Sequence, residues 1–296
     1  MSSVVERHPL LREDHSARGA EKIGALLVDA GKLTSKDAEV ILRYQKEHAL
    51  PFGEAAIRLK LVSQADVSEM LARQFDYPYL RKGESAISAE VIAAYEPFSS
   101  HVEQLRALRS QLLLRYPQPG PDDARVVVVA GVGRAEGRSY VAANLAVVFS
   151  QLGERTLVID ADLRNPRQHA LFGLEPGHGL SSYLSARANL NSIQRIGGLV
   201  HLSVLAAGPV PPNPQELLSR HAFAALLASV RRDYDVILID TSAAQVAADA
   251  VALAARAPVA LLVARQDHTQ LARLYALSRE MSEAGARVLG CVLNAH

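Results

Sequence analysis

Apolar runs separated by loops and helical segments dominate the chain from Arg125 onward. The runs are RVVVVA, RTLVID, HLSVLAA, DVILID, VALLVA and RVLGCVLN. They are continuous rather than alternating, which indicates strands buried on both faces and hence a parallel sheet covered by helices. Helical segments such as SYVAANLAVVFSQLG lie between them and predict right-handed crossovers. The predicted fold class is therefore α/β, with a doubly wound, mostly parallel sheet preceded by a small mainly helical domain.

That small domain is predicted from an internal repeat. Residues 22–45, KIGALLVDAGKLTSKDAEVILRYQ, align with residues 51–74, PFGEAAIRLKLVSQADVSEMLARQ, at a constant offset of 29. Each copy predicts a short helix, a turn capped by Thr34 or Ser63, and a second helix.

Polarity and turn residues set the predicted boundaries. Residues 1–18 are polar and aperiodic, which predicts disorder. The repeat domain then covers 19–82, a linker with one helix covers 83–122, and the α/β domain covers 123–296. The turn-rich stretch PQPGPDD precedes the first strand and marks the last of these boundaries.

Composition narrows the classes of function. The formal net charge is +1, so nothing indicates nucleic acid as a partner. The one cysteine, Cys291, cannot form an internal disulfide and lies in an apolar run that predicts burial. The charged start lacks the apolar core of a signal peptide, and the most apolar later stretch is interrupted by Arg256 and Pro258. We therefore expect a cytoplasmic protein that reaches the membrane only through a partner.

The loop after the first strand, GVGRAEGRS, leads directly into a helix. A glycine-containing loop in this position lets backbone N–H groups surround phosphate oxygens at the positive end of the helix dipole. Ser139 opens the helix, where its hydroxyl can cap the helix or bind Mg²⁺. An ordinary strand–helix turn explains the loop equally well on its own. The candidate nucleotide-binding residues are Gly131, Glu136, Gly137, Arg138, Ser139 and Tyr140.

Acidic residues end two of the predicted strands. Asp160 and Asp162 close LVIDAD, and Asp240 closes DVILID. In an extended segment residues two apart point the same way, so we expect Asp160 and Asp162 both to face the ligand crevice at the carboxyl edge of the sheet. A Mg²⁺ ion and a hydroxyl to be deprotonated would account for them. The alternative is that Asp162 caps the next turn while Asp160 merely ends its strand.

These motifs resemble those of the bacterial tyrosine kinases (BY-kinases), in particular the exopolysaccharide chain-length-determinant autokinases of the EpsG type. The resemblance spans about residues 96–294. Three apolar residues followed by Asp160, Asp162 and Arg164 look like the family's Walker A′ motif. The stretch AAGPVPPNPQELL (206–218) is also similar to a family segment.

The resemblance implies ATP and Mg²⁺ as cofactors and a role for each motif residue. Gly137, Arg138 and Ser139 would hold phosphates and metal. Asp162 and Asp240 would organise the metal, and Asp160 would take the proton of an attacking tyrosine hydroxyl. The resemblance also places Arg164 in the catalytic set, and Asn294 resembles the adenine-reading Asn of related ParA/MinD ATPases, unless it is only a strand-terminating turn residue.

The sequence departs from the family pattern in three places. Arg138 stands where the family has lysine, which predicts slow turnover or binding without chemistry. Ala243 replaces the proline that usually follows the family's Walker B strand, which DVILID with Asp240 resembles here. The sequence ends VLNAH without a tyrosine cluster, so the phosphoacceptor is not identified.

Two further resemblances concern assembly and regulation. Glu103, Arg106 and Arg109 match the motif through which BY-kinases form rings; a solvated helix face with an i,i+3 ion pair is the alternative. The repeat resembles MshEN domains, some of which bind cyclic di-GMP, and a purely structural docking module is the alternative. The residues of the first copy that would bind the ligand are Lys22, Ile23, Gly24, Gly31 and Gln45.

The predicted function is an ATP-dependent protein-tyrosine kinase that regulates exopolysaccharide polymerisation, chain length and export. The expected partners are a membrane-embedded chain-length-determinant protein on a separate chain and further copies in a homo-oligomeric ring. Two alternatives stay open: a ParA/MinD-like ATPase switch, and a nucleotide-binding adaptor of the exporter without kinase activity. Arg138 and the missing tyrosine cluster favour these alternatives.

Overall fold

The structure is a computed structural model that describes residues 23–74, 80, 81, 83, 85–117, 120 and 123–295. The predicted disordered segment 1–18 and the predicted ligand residue Lys22 lie outside the described residues. The chain divides into two compact units, Met1–Tyr77 and Pro78–His296.

The first unit is helical and repeats its own architecture. Residues 23–29 form α1; the helices that follow are α2 (Ser35–His48), α3 (Phe52–Arg58) and α4 (Gln64–Gln74). Their apolar faces meet in one core that includes Leu27, Ile41, Phe52 and Met70. The predicted pair of helix–turn–helix copies is confirmed.

Capping boxes begin the second helix of each copy. The backbone N–H of Asp37 donates to the Thr34 hydroxyl, and the Asp37 carboxylate accepts from the Thr34 backbone N–H at 2.9 Å. Ser63 and Asp66 repeat the same exchange 29 residues later. Such boxes satisfy backbone donors that a helix start leaves unpaired. The predicted caps are therefore confirmed, and each includes an aspartate that the pattern did not single out.

The second unit contains a seven-stranded sheet in the order β3-β4-β2-β5-β1-β6-β7. Among the strand pairs in the described part of the chain, only β3–β4 is antiparallel, which confirms the predicted mostly parallel sheet. The strands are β1 (Arg125–Gly131), β2 (Thr156–Asp160), β3 (Gln194–Arg195), β4 (Leu202–Leu205), β5 (Val236–Asp240), β6 (Val259–Arg265) and β7 (Arg287–Asn294).

Helices cover both faces of this sheet. They are α5 (Ile92–Tyr95), α6 (Ser100–Arg115), α7 (Arg138–Ser150), α8 (Gln168–Leu171), α9 (Leu180–Leu184), the 3₁₀ helix Leu190–Ser192, α10 (Pro214–Ser219), α11 (His221–Val230), α12 (Asp249–Ala254) and α13 (Leu271–Glu283). Along β1, Val127 and Val129 join one core while Val126 and Val128 join the other. Burial on both faces explains why the strands read as continuous apolar runs.

The expectation that Cys291 is buried is wrong. β7 is an edge strand, and its residues alternate in exposure, with Cys291 exposed. An edge strand has a neighbouring strand on one side only, so apolar composition does not ensure burial of every side chain.

Asp66 links the two copies of the repeat and makes the first unit sensitive to acid. Its carboxylate accepts from Lys32 Nζ at 2.7 Å and from the Ser63 hydroxyl at 2.6 Å. These contacts lower the pKa of Asp66 to about 2. Because the folded-state pKa is depressed, the stabilisation is present above the unfolded pKa near 4 and is lost as the pH falls toward 2.

We predict that Asp66→Asn destabilises the first unit by about 1–2 kcal/mol at pH 7. Hydrogen exchange of the α2–α4 amides in the full chain measures this, and the difference from wild type should shrink between pH 4 and pH 2. Asp29→Asn, at an exposed position of the same unit, is the matched control. A pH-independent difference would contradict the linkage.

Candidate active site

The site begins where β1 passes into α7. The intervening loop ends at Gly137, which adopts φ +93° and precedes the first helical residue, Arg138. The positive φ favours glycine at this position, and a Cβ there would also displace the side-chain amide of Asn294. The first residues of α7, whose N–H groups have no partner within the helix, line the cavity beside the loop.

This cavity has a volume of about 250 Å³ and lies at the carboxyl edge of the sheet. Residues 134–140 line one side, and Asp162, Asn165 and Arg167 line another, with Ser242 and Ala243 below. The predicted loop residues Glu136 to Tyr140 and the predicted Asp162 thus lie around one space. Helix N-terminus, hydroxyl and carboxylate together suit a phosphate bound with a cation.

The carboxylates of the two acidic strand ends lie side by side. β2 and β5 are parallel neighbours, and Asp160 is in register with Asp240. Both are fully buried, whereas Asp162 retains 6% exposure and lines the cavity. The expectation that Asp160 and Asp162 both face the crevice is therefore met by Asp162 alone. β2 ends at Asp160, and residues 161–168 fold back across its carboxylate.

Backbone donors hold Asp160 beneath that loop. Its carboxylate accepts from the N–H groups of Asp162 at 3.2 Å, Arg167 at 3.0 Å and Gln168 at 2.9 Å. Asp162 in turn accepts from the N–H groups of Arg164 and Asn165. Asp162 therefore caps a turn and faces the cavity at once, so the two readings of this residue are compatible.

Burial and neighbouring carboxylates raise the pKa values of Asp160 and Asp240. Burial, reinforced by the charge of Asp240, raises the pKa of Asp160 well above its usual range. Burial raises the pKa of Asp240 to about 6, against the lowering effect of the neighbouring Ser139 and Gln168 side chains. A cation placed among these carboxylates would favour their charged forms.

The side chain of Arg138 is bonded within the protein. Its guanidinium donates to the carbonyls of Thr241, at 3.0 Å, and of Gly133. It also lies 3.4 Å from the carboxylate of Glu136, and the two side chains are 8% and 1% exposed. Thr269 donates to the other oxygen of Glu136 at 2.6 Å. The buried contacts of Glu136 and Arg138 therefore stabilise the conformation of the loop.

Arg164 and Asn294 also contact protein groups around the site. Arg164 donates to the buried carboxylate of Asp249 at 2.9 Å, and Ser242 donates to the same carboxylate. This connects the loop after β2 to the loop after β5. Asn294 donates to the carbonyl of Glu136 at 3.3 Å. Asp249 was missed in the sequence because a single aspartate at a helix start is a common capping residue.

The described residues contain no group of three or more Asp, Glu, His or Cys side chains arranged to hold a metal by themselves. Mg²⁺ commonly binds through one or two carboxylates, several waters and the phosphates of its nucleotide, so a preformed cage is not required. Asp240 Oδ1 is buried without a hydrogen-bond partner in the described part of the chain. That orphaned oxygen, with Asp162 and Ser139 nearby at the cavity, fits a nucleotide-bound Mg²⁺.

All three residues of the proposed ring motif on α6 make contacts within the chain. Arg106 donates to Glu103 at 2.9 Å and to the carbonyl of Pro97. Arg109 donates to the carbonyl of Val148 at 2.6 Å. The ion pair of the alternative interpretation is therefore present, while Glu103 itself is exposed.

Comparison with known proteins places this architecture in a family. The chain is 34% identical over 216 residues to the tyrosine-protein kinase YwqD of Bacillus subtilis. The aligned region covers 73% of this chain and 90% of YwqD. The chain belongs to the bacterial tyrosine-protein kinase family. It is also 32% identical to the tyrosine-protein kinase Etk of Escherichia coli over 203 residues, but these span only 28% of Etk.

Solved structures agree with this membership. The kinase domain of Escherichia coli Etk aligns over 69% of this chain with a TM-score of 0.65, at 32% identity. The cell division ATPase MinD of Pyrococcus furiosus aligns over 58% with a TM-score of 0.51, at 26% identity. No family model matches the chain. Among the described residues of this kinase-family chain, no helix combines the length and apolarity needed to cross a bilayer.

We predict that Ser139→Ala combined with Asp162→Ala lowers Mg²⁺-dependent ADP affinity by at least about tenfold. The reason is that each side chain supplies an oxygen ligand to the proposed Mg²⁺. Calorimetry with Mg²⁺ and with EDTA measures it. Asp233→Ala with Ser282→Ala, two exposed positions, is the control pair. Unchanged binding by the site variant would remove these residues from the site.

Proposed function

We propose that the chain is an ATP-dependent protein-tyrosine kinase that regulates exopolysaccharide polymerisation, chain length and export. The observation that carries the proposal is the meeting of a helix N-terminus, Ser139 and Asp162 at one cavity, with Asp160 and Asp240 beneath it. Membership of the tyrosine-kinase family adds the reaction. Relatives named for the cps region of Klebsiella pneumoniae and as EpsB of Ralstonia solanacearum add the polysaccharide context.

Each residue receives one role in this proposal. The amides of the loop from Gly131 and of the start of α7 bind the phosphates. Ser139, Asp162 and Asp240 bind Mg²⁺, which when bound neutralises charge on the transferred phosphoryl group. Phosphoryl transfer is then mostly positioning and charge stabilisation.

Asp160 is the proposed base for the acceptor hydroxyl. A raised pKa makes a carboxylate a stronger base, which suits this role. Its carboxylate is enclosed by residues 161–168, so proton transfer requires this loop to open. Arg164 supports the loop through its pair with Asp249.

The direct test incubates the full chain with labelled ATP and Mg²⁺, with and without the cytoplasmic tail of a chain-length-determinant protein, and maps phosphotyrosine. Tyrosine phosphorylation that disappears in Asp162→Ala supports the kinase. Release of inorganic phosphate without phosphotyrosine would instead support a ParA/MinD-like ATPase switch. Nucleotide binding with neither product would support an adaptor of the exporter. The adaptor is favoured by the hydrogen bonds of Arg138 to protein carbonyls, which occupy its guanidinium.

We also propose the assembly and location of the kinase. It acts at the inner face of the plasma membrane, attached to a separate membrane-embedded chain-length-determinant protein. Copies of the chain form a ring through α6. Cyclic di-GMP is a proposed ligand of the first unit, where Gln45 has a buried side-chain oxygen without a partner in the described part of the chain. Titration of the full chain with cyclic di-GMP tests this ligand.

Arg138 is the proposed cause of slow turnover. Lysine offers a compact charge that can approach phosphate, whereas the guanidinium here is bonded to carbonyls of the loop and of Thr241. We predict that Arg138→Lys raises turnover several-fold with little change in nucleotide affinity, because the backbone amides hold the ground state. Phosphotyrosine formation and calorimetric ADP binding measure the two effects.

Arg138→Ala is the companion variant. It leaves the buried carboxylate of Glu136 without its cation, so affinity and turnover should both fall. Turnover that is unchanged or lower in Arg138→Lys would mean that the site is adapted to arginine.

Ring formation is tested best at Glu103, since Arg106 and Arg109 also support the fold. We predict that Glu103→Arg lowers the mass of oligomers in light scattering without lowering the melting temperature, because an intersubunit ion pair would become a repulsion. Glu280→Arg, at an exposed position of α13, is the matched control. An unchanged mass would support the alternative interpretation, in which α6 presents a solvated face with an i,i+3 ion pair.

A further inference from the structure

Gln168 is a fully buried polar residue that the motifs did not identify. It is the first residue of α8, at the end of the loop that covers Asp160. Burying an amide side chain is unfavourable unless its hydrogen bonds are made, so its contacts indicate what it does.

The amide nitrogen of Gln168 connects two parts of the proposed kinase site. Nε2 donates to the carboxylate of Asp240 at 2.8 Å and to the backbone carbonyl of Ser139 at 3.1 Å. Both of its N–H groups are thereby used. One side chain thus spans the end of β5 and the first turn of α7.

The backbone of Gln168 adds a third connection. Its N–H donates to Asp160 at 2.9 Å, at the end of β2. A single residue therefore contacts both acidic strand ends and the start of the phosphate-binding helix. None of these three elements is adjacent to Gln168 in the sequence.

The contacts define the orientation of the amide. Turning the amide over would place its oxygen against the carboxylate of Asp240, which is repulsive. Nε2 therefore faces Asp240, and one carboxylate oxygen of Asp240, Oδ2, is occupied by this bond. The other, Oδ1, and Gln168 Oε1 have no hydrogen-bond partner in the described part of the chain. The bond to Gln168 thus selects which oxygen of Asp240 is left to bind a cation.

We propose that Gln168 is a positioning residue. It fixes Asp240 relative to Ser139 in the first turn of α7, so that both side chains reach the nucleotide-bound cation. The inference rests on the proposed function only for the identity of the cation-binding site. A purely structural glutamine would contribute to stability alone. A positioning glutamine also contributes to the coupling between Mg²⁺ and nucleotide, which is a separate quantity.

The test measures this coupling in the full chain. ADP affinity is determined by calorimetry with Mg²⁺ and with EDTA, and the ratio of the two is compared between variants. Gln168→Met keeps the length of the side chain and removes both N–H donors. We expect the ratio to fall by roughly tenfold while the affinity in EDTA changes by less than about twofold.

Two further variants make the result decisive. Gln151→Met is the matched control, because Gln151 also donates to a backbone carbonyl, that of Ala93, at 2.9 Å, but lies outside the cavity lining. It should lower the melting temperature without changing the ratio. If Gln168→Met does not fold, Gln168→Asn replaces it. Its amide is one methylene shorter and cannot span both partners, so the ratio should fall here as well.

An unchanged ratio in the folded Gln168 variant would overturn the inference, as would a wild type whose ADP binding does not depend on Mg²⁺. The kinase proposal is separate from both results. If the wild type forms no phosphotyrosine but the ratio falls in Gln168→Met, the positioning role holds and the kinase assignment fails. If phosphotyrosine forms and the ratio is unchanged, the reverse is true.

Discussion

The parallel pairing of β2 with β5 is the constraint on which the site depends. It places Asp160 beside Asp240 in the interior, with Asp162 just beyond them. Burial and the charge of Asp240 raise the pKa of Asp160, and uncompensated buried charges oppose the packed state. The surrounding structure therefore has to supply hydrogen bonds to the two carboxylates, and a cation completes the compensation when it binds.

The compensation comes from segments that are far apart in sequence. Backbone N–H groups of the loop 161–168 hold Asp160, and the amide of Gln168 holds Asp240. On the other side of the cavity Glu136 and Arg138 neutralise each other within the loop. The start of α7, Asp162 and Arg167 are among the groups that line the cavity. The hydrogen bonds and the ion pair among these buried side chains fix the shape of the site. The groups that line the cavity are thereby held in place for the proposed phosphate.

The two copies of the repeat in the first unit use the same stabilising contacts at equivalent positions. Gly24 and Gly53 occupy equivalent positions and both lie against a bulky side chain, of Phe52 and of Val67. Capping boxes then start the second helix of each copy. Because the capping boxes are local and recur at a constant spacing, the two helix–turn–helix copies could be predicted from the 29-residue offset.

The amino-acid sequence by itself determined the α/β class, the parallel sheet, the capped repeat and the motifs of a tyrosine kinase. Each of these follows from patterns within one element or one turn. The sequence did not determine the exposure of Cys291, the enclosure of Asp160, the internal bonding of Arg138 or the roles of Asp249 and Gln168. Those depend on which strand lies at an edge and on which loop covers a carboxylate. Only the tertiary structure decides them, because the partners come from segments that are distant in the chain.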